Sequence, residues 1–246
     1  MCQTAALSIQ FGLSIRSLSQ YLSALGLHGN TLVMQSFELL SPLIDRSTKV
    51  SENEMYKTTD YLRNGVLYLN NLLRPQHKKL STLMIYSTTK CQSRCKHCSI
   101  WQKPEEHLSL RDIQKIMASR CITKNTVVGL EGGEFILHPE STAIMEWFMH
   151  HHPNYTLLSN CLNPQKVIDA VRRYNPRHLY VSLDGDRDTY KVMRGCNGHD
   201  KVIEVVEALK DEVPISLMFC LSPWNTFKDM DYVIGVARKY KVDVRI

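Results

Sequence analysis

From residue 80 to the end of this 246-residue chain, short apolar runs of strand character alternate with segments whose apolar side chains recur every three or four residues. This alternation constrains the fold more than any other feature. Strands are expected at 82–86, 126–130, 155–159, 178–183, 215–221 and 242–246, and helices at 111–118, 139–150, 164–174, 201–212 and 227–240. Strand, helix, strand at this pace requires a parallel sheet with right-handed crossovers. A barrel and an open doubly wound sheet both satisfy the pattern, and in either one ligand chemistry gathers at the carboxyl ends of the strands.

Before residue 80 the pattern is helical. Ile15, Leu18, Leu22 and Leu25, then Val33, Phe37, Leu40 and Ile44, are spaced as two amphipathic helices with a break at 26–30. A polar stretch at 45–54 leads to a third, with Leu62, Val66, Leu69 and Leu73 on one face and Pro75 ending it. These stripes are expected to pack on the main domain. Residues 1–79 thus read as a helical N-terminal extension and 80–246 as an α/β domain.

The formal charge of +6 is mild, and no lysine/arginine block or nucleic-acid motif accompanies it, so nucleic-acid binding is unsupported. No apolar window is long enough for a membrane span, and no basic region precedes an apolar stretch at the N-terminus as a secretory signal requires. A cytoplasmic protein is expected. Its eight cysteines show no evenly paired framework, and in a reducing compartment a clustered trio favours metal binding over disulfides.

That trio is Cys91, Cys95 and Cys98, spaced C-x3-C-x2-C directly after the first strand. Three thiolates this close can hold three corners of a cubane iron–sulfur cluster and leave one iron open, whereas closed electron-transfer sites carry four. An open position on a metal centre is where substrate is activated. With His97 between the last two cysteines the loop could also bind zinc, since ligand type and spacing alone do not separate the two.

Other polar stretches fall on the same rim: Glu131-Gly132-Gly133-Glu134 after the second strand, Ser159-Asn160 after the third, and Ser182-Leu183-Asp184-Gly185 after the fourth, with Arg194-Gly195 beyond. Together with the cysteine loop, in this order, they resemble the radical S-adenosylmethionine (radical SAM) superfamily. Gly132-Gly133-Glu134 matches its Gly-Gly-Glu motif. Val181 to Gly185 and Met193-Arg194-Gly195 are similar to the branch of the molybdopterin-precursor cyclase, sulfatase-maturing enzymes and peptide maturases with auxiliary-cluster domains.

The resemblance covers about residues 80–246 and implies a partial (β/α)6 TIM-like barrel. It implies a [4Fe-4S] cluster on Cys91, Cys95 and Cys98 and S-adenosylmethionine bound by Gly132, Gly133, Glu134, Ser159, Asn160, Ser182 and Arg194. Glu134 would meet the methionine ammonium, Ser182 and Arg194 its carboxylate, and Ser159-Asn160 the ribose. Reductive cleavage to a 5′-deoxyadenosyl radical would then start chemistry on a peptide, protein or small molecule, with a flavodoxin or ferredoxin as reductant. The basic residues Lys90, Arg94, Lys96 and Lys103 are candidates for steering that acidic carrier. A metal-binding module without cofactor cleavage is the alternative.

Three positions depart from the family pattern. Phe135 stands where proline is common, Glu131 where threonine or serine is common, and Cys161 where the ribose motif has glycine. Cys161 and Cys196 both follow expected strands at their carboxyl ends and are candidates for a rim thiol acting in turnover. Cys121 follows a helix and should lie at the other end. Six strands with no helix after the last lead to the expectation that the sequence is part of a longer protein.

Overall fold

The computed structural model describes residues 58–246. The first two expected helices lie outside the described residues. The third is present as α1, Thr58–Leu73, and Pro75 opens a short 3-10 turn after it. The chain divides into two compact units at Asn70, and the second, Asn71–Ile246, carries the alternating pattern.

Its strands are β1 Thr82–Tyr86, β2 Val127–Glu131, β3 Tyr155–Ser159, β4 His178–Ser182, β5 Ile215–Met218 and β6 Asp243–Arg245. All pair in parallel in the order β1 to β6. An order that never reverses, joined by right-handed crossovers, puts every connecting helix on one face of the sheet. This decides between the two architectures left open by the sequence: the unit is a partial (β/α)6 TIM-like barrel and not a doubly wound sheet.

The helices are α2 Leu110–Met117, α3 Ser141–His151, α4 Pro164–Tyr174, α5 Arg187–Arg194, α6 His199–Leu209 and α7 Phe227–Tyr240. Local chemistry sets their ends. Ser109 caps α2 by accepting from the Asp112 backbone, Pro164 starts α4, and Thr226 with Asp229 forms a capping box on α7. Gly195 ends α5 in the left-handed conformation at φ 66°.

Strand residues alternate between the faces. Ile85, Val128, Leu130, Leu157, Leu179, Val181, Ile215 and Leu217 are buried against Ile113, Ile144, Phe148, Val167, Val202, Val206 and Val233 of the helices. Each such side chain contributes about 1.5–3 kcal/mol on leaving water. The opposite, inner face carries Tyr86, Glu131, Leu158 and Tyr180 in one row across β1 to β4, with Tyr86 and Glu131 in direct register.

Two expectations need correction. No helix is expected between 183 and 201, yet Met193-Arg194-Gly195 is the end of α5, an eight-residue helix with few apolar positions whose start is fixed by Asp186 accepting from the Thr189 backbone at 2.9 Å. β5 stops three residues early because the Cys220 N–H turns away from the sheet to donate to the Asp184 carboxylate at 3.0 Å. No helix among the described residues is long and apolar enough to cross a membrane.

Candidate cluster and cofactor site

The three cysteines, the glycine pair with Glu134, and Ser159, Asn160, Ser182 and Arg194 all line one cavity of about 190 Å³ at the carboxyl ends of the strands. Residues up to 103 positions apart in sequence are brought together there by four strand ends. Ser93, His97, Ile100, Trp101 and Leu158 complete the wall.

The cysteine loop is fastened on two sides. The backbone N–H of Arg94 donates to the Arg194 carbonyl at 3.1 Å and that of Lys96 to the Met193 carbonyl at 2.9 Å, so the end of α5 brackets Cys95. On the other side Gly133 N–H donates to Thr88 O at 2.7 Å and Glu134 N–H to Lys90 O at 2.8 Å. A side chain at Gly132 or Gly133 would run into the backbone of Thr88 or Lys90, and Gly132 holds φ 142° besides. The glycine pair therefore has a role that the motif did not reveal: it lets β2 approach the segment that delivers Cys91.

Glu134 is 3% exposed. Its carboxylate accepts from Ser159 Oγ at 2.9 Å and from the Asn160 backbone at 2.7 Å. Burial nevertheless dominates and lifts its pKa to about 7, these hydrogen bonds and Arg194 working in the other direction. A cationic group bound in the cavity would favour the ionised form, which suits the role that the family motif implies.

Arg194 is 8% exposed and turned toward two anions or anion precursors. Its Nε donates to the fully buried Asp184 at 2.5 Å, and its Nη1 reaches Cys95 Sγ at 3.7 Å. The guanidinium expected to serve a cofactor carboxylate is thus already engaged by the protein. Asn160, expected at a ribose, donates through Nδ2 to Cys91 Sγ at 3.7 Å, while its Oδ1 accepts from Gln92 Nε2 and the Leu162 backbone. Ser182 lines the cavity from the end of β4.

Among the cysteines, burial pushes the Cys91 thiol up to about 11, with Glu134 and the other two thiols adding to it, so binding a metal there must displace a proton. Among the described residues no three His, Cys, Asp or Glu side chains converge closely enough to hold a single metal ion. His97 faces the cavity with a buried Nδ1 that has no partner among the described residues, and burial together with Arg194 holds it toward the neutral form.

The structure places Cys161 in the core. Its side chain is fully buried in the helix-facing core, its thiol is strongly raised by burial, and it does not line the cavity. Its φ of 57° is the left-handed region, which explains physically why glycine suits this position. Cys196 is not on the cavity wall either, but its Sγ lies 3.7 Å from the Oγ of Ser93, which is. Cys121 lies at the amino end of β1, where its carbonyl accepts from Leu80. Phe135 is fully buried and opens a 3-10 turn behind Glu134.

Sequence reasoning missed Asp184, although it sits in a quoted motif. Its role depends on a partner ten residues on and on the Cys220 backbone across β5, and only a buried-carboxylate argument could have raised it. Trp101, whose Nε1 donates to the Cys95 carbonyl at 3.3 Å, was also passed over.

The family model for the Radical SAM superfamily matches residues 85–234, more than half of the chain. Among solved structures, SuiB from Streptococcus suis bound to precursor peptide SuiA is similar with a TM-score of 0.58 at 14% identity, covering 88% of this chain and 53% of that one. Native anSMEcpe with bound AdoMet and the Cp18Cys peptide gives 0.52 at 16% identity, covering 68% and 50%. Methylornithine synthase, PylB, gives 0.54 at 11% identity, covering 81% and 64%. The chain spans about half the length of the first two, and no curated protein matches its sequence. The matched span contains the whole cavity wall, and on that match the chain belongs to the Radical SAM superfamily of enzymes.

Proposed function

We propose that this chain is the catalytic barrel of a radical SAM enzyme, in which Cys91, Cys95 and Cys98 hold a [4Fe-4S] cluster and the rest of the cavity wall holds S-adenosylmethionine. Held there, the two groups would supply one-electron reductive cleavage of S-adenosylmethionine, the source of a 5′-deoxyadenosyl radical for hydrogen abstraction from a substrate. The observation that carries this reading is the convergence of three cysteines, Gly132-Gly133-Glu134, Ser159-Asn160, Ser182 and Arg194 on one cavity.

The chain's own residues have separable tasks. Glu134, desolvated and aimed by Ser159 and Asn160, provides the negative end for an ammonium group. The glycine pair fixes the cysteine loop against β2. Ser182 offers a hydroxyl on the same wall as Arg194. Leu158, Ile100 and Trp101 give that wall its apolar part.

A peptide or protein is the favoured substrate class, because two similar structures, SuiB and anSMEcpe, were solved with peptides bound. An acidic flavodoxin or ferredoxin is the favoured reductant, with Arg94, Lys96 and Lys103 as the steering charges; Lys90 already pairs with Glu105 at 2.9 Å. A reducing compartment, the cytoplasm, suits the seven described cysteines, all of which are free. Anaerobic reconstitution followed by iron and sulfide analysis tests the reading. About four of each per chain with the broad visible absorption of a cubane is expected for that cluster. A colourless protein binding one zinc would replace the reading with the metal-module alternative.

A further inference from the structure

Two of the three sulfurs on the cavity wall receive a side-chain N–H from the protein. Asn160 Nδ2 donates to Cys91 Sγ and Arg194 Nη1 to Cys95 Sγ, each at 3.7 Å; no side-chain donor among the described residues reaches Cys98. Neither contact is loose. The Asn160 amide is oriented by its other end, since Oδ1 accepts from Gln92 Nε2 at 3.2 Å and from the Leu162 backbone at 3.1 Å, leaving the NH2 for sulfur. The Arg194 guanidinium is oriented by Asp184, which is itself fixed by the Cys220 N–H. Helix α5 cannot easily carry Arg194 away, because its last two carbonyls bind the backbone on either side of Cys95.

Hydrogen bonds and positive charge at cluster thiolates stabilise the more negative, reduced cluster more than the oxidised one and so raise its potential. We propose that Asn160 and Arg194 set the reduction potential of the cluster through Cys91 and Cys95, and that Asp184 is the positioning residue for Arg194. The motif comparison assigns Asn160 and Arg194 to the cofactor; the geometry gives them a task that precedes cofactor binding, that of making the first electron transfer possible. The inference rests on the cluster assignment above. Failure of that assignment shows in the wild type as missing iron and sulfide, whereas failure of this inference shows as full iron with an unmoved potential.

The test is an anaerobic redox titration of cluster-loaded protein without S-adenosylmethionine, read by the electron paramagnetic resonance signal of the reduced cluster. Asn160→Asp keeps the acceptor for Gln92 and Leu162 while replacing the donor to Cys91 by an acceptor. The double change Arg194→Met with Asp184→Asn removes the donor to Cys95 without stranding a buried carboxylate. In each, the ratio of reduced to oxidised cluster at a fixed solution potential should fall about tenfold, a shift of about 59 mV for one electron. Wild-type potentials in both variants at full iron content would overturn the inference. So would failure of both to hold iron, which would assign these residues to cluster retention.

Discussion

Replacing Glu134 by glutamine should change the pH dependence of stability in a direction and by an amount that its surroundings fix. Burial keeps this carboxyl protonated up to about pH 7, whereas in the unfolded chain it ionises near 4.5. Between these values the folded protein holds a proton that the unfolded chain has lost, so its stability falls as pH rises and levels off above about 7. Lifting a carboxyl over that interval corresponds to about 3 kcal/mol. Glutamine mimics the protonated group and keeps the two shorter bonds, its oxygen accepting from the Asn160 N–H and its NH2 donating to Ser159 Oγ, which can turn to accept; only the 3.5 Å contact from the Ile136 N–H to the same position is given up. Glu134→Gln should therefore match the wild type near pH 4.5 and exceed it by about 3 kcal/mol at pH 8. Urea unfolding of both cluster-free proteins across pH 4.5–8 measures the difference directly, other titrating groups such as His178 being common to both. A difference that does not change with pH would refute the argument that desolvation governs this carboxylate.

Further outcomes follow from the same geometry. Gly133→Ala should leave the barrel folded but cut iron uptake, because the added carbon meets the Lys90 and Thr89 carbonyls and must push the cysteine loop away, a strain of about 1–3 kcal/mol; normal iron content would contradict this. Cys161→Gly should relieve the left-handed backbone while losing a small buried side chain, so stability should shift by no more than about 1 kcal/mol, with iron content and cofactor cleavage unchanged. A large loss of product with intact cleavage would return Cys161 to the turnover role first considered for it. Reduction by flavodoxin should slow as ionic strength rises from low to moderate, and a salt-independent rate would remove Arg94, Lys96 and Lys103 as steering charges.

The strand positions were legible in the sequence because each strand of this sheet is a short apolar run closed by polar or glycine residues; β1 and β3 begin and end where expected. Helix α5 was not, since eight residues with so few apolar positions carry almost no periodic signal; its Asp186 start and Gly195 stop were the available clues. In the site, the rim location of the candidates at the ends of β2, β3 and β4 followed from topology alone, whereas that of Arg194 depends on α5. What each faces did not. A glycine pair in a motif does not say whether the backbone it admits belongs to a ligand or, as here, to Thr88 and Lys90. Arg194 reads as a free cation until burial shows Asp184 beneath it. Cys161 reads as a rim thiol, and only the structure shows its side chain buried in the core.

The most direct measurement of the central claim is the formation of 5′-deoxyadenosine by the reconstituted protein. Anaerobic protein with a full iron–sulfur complement, reduced with dithionite in the presence of S-adenosylmethionine, should release 5′-deoxyadenosine and methionine even without a substrate, slowly but above a no-enzyme control. The triple change Cys91→Ala, Cys95→Ala and Cys98→Ala, treated identically, should release none. Full cluster loading without any cleavage, or equal cleavage by the triple variant, would contradict the account.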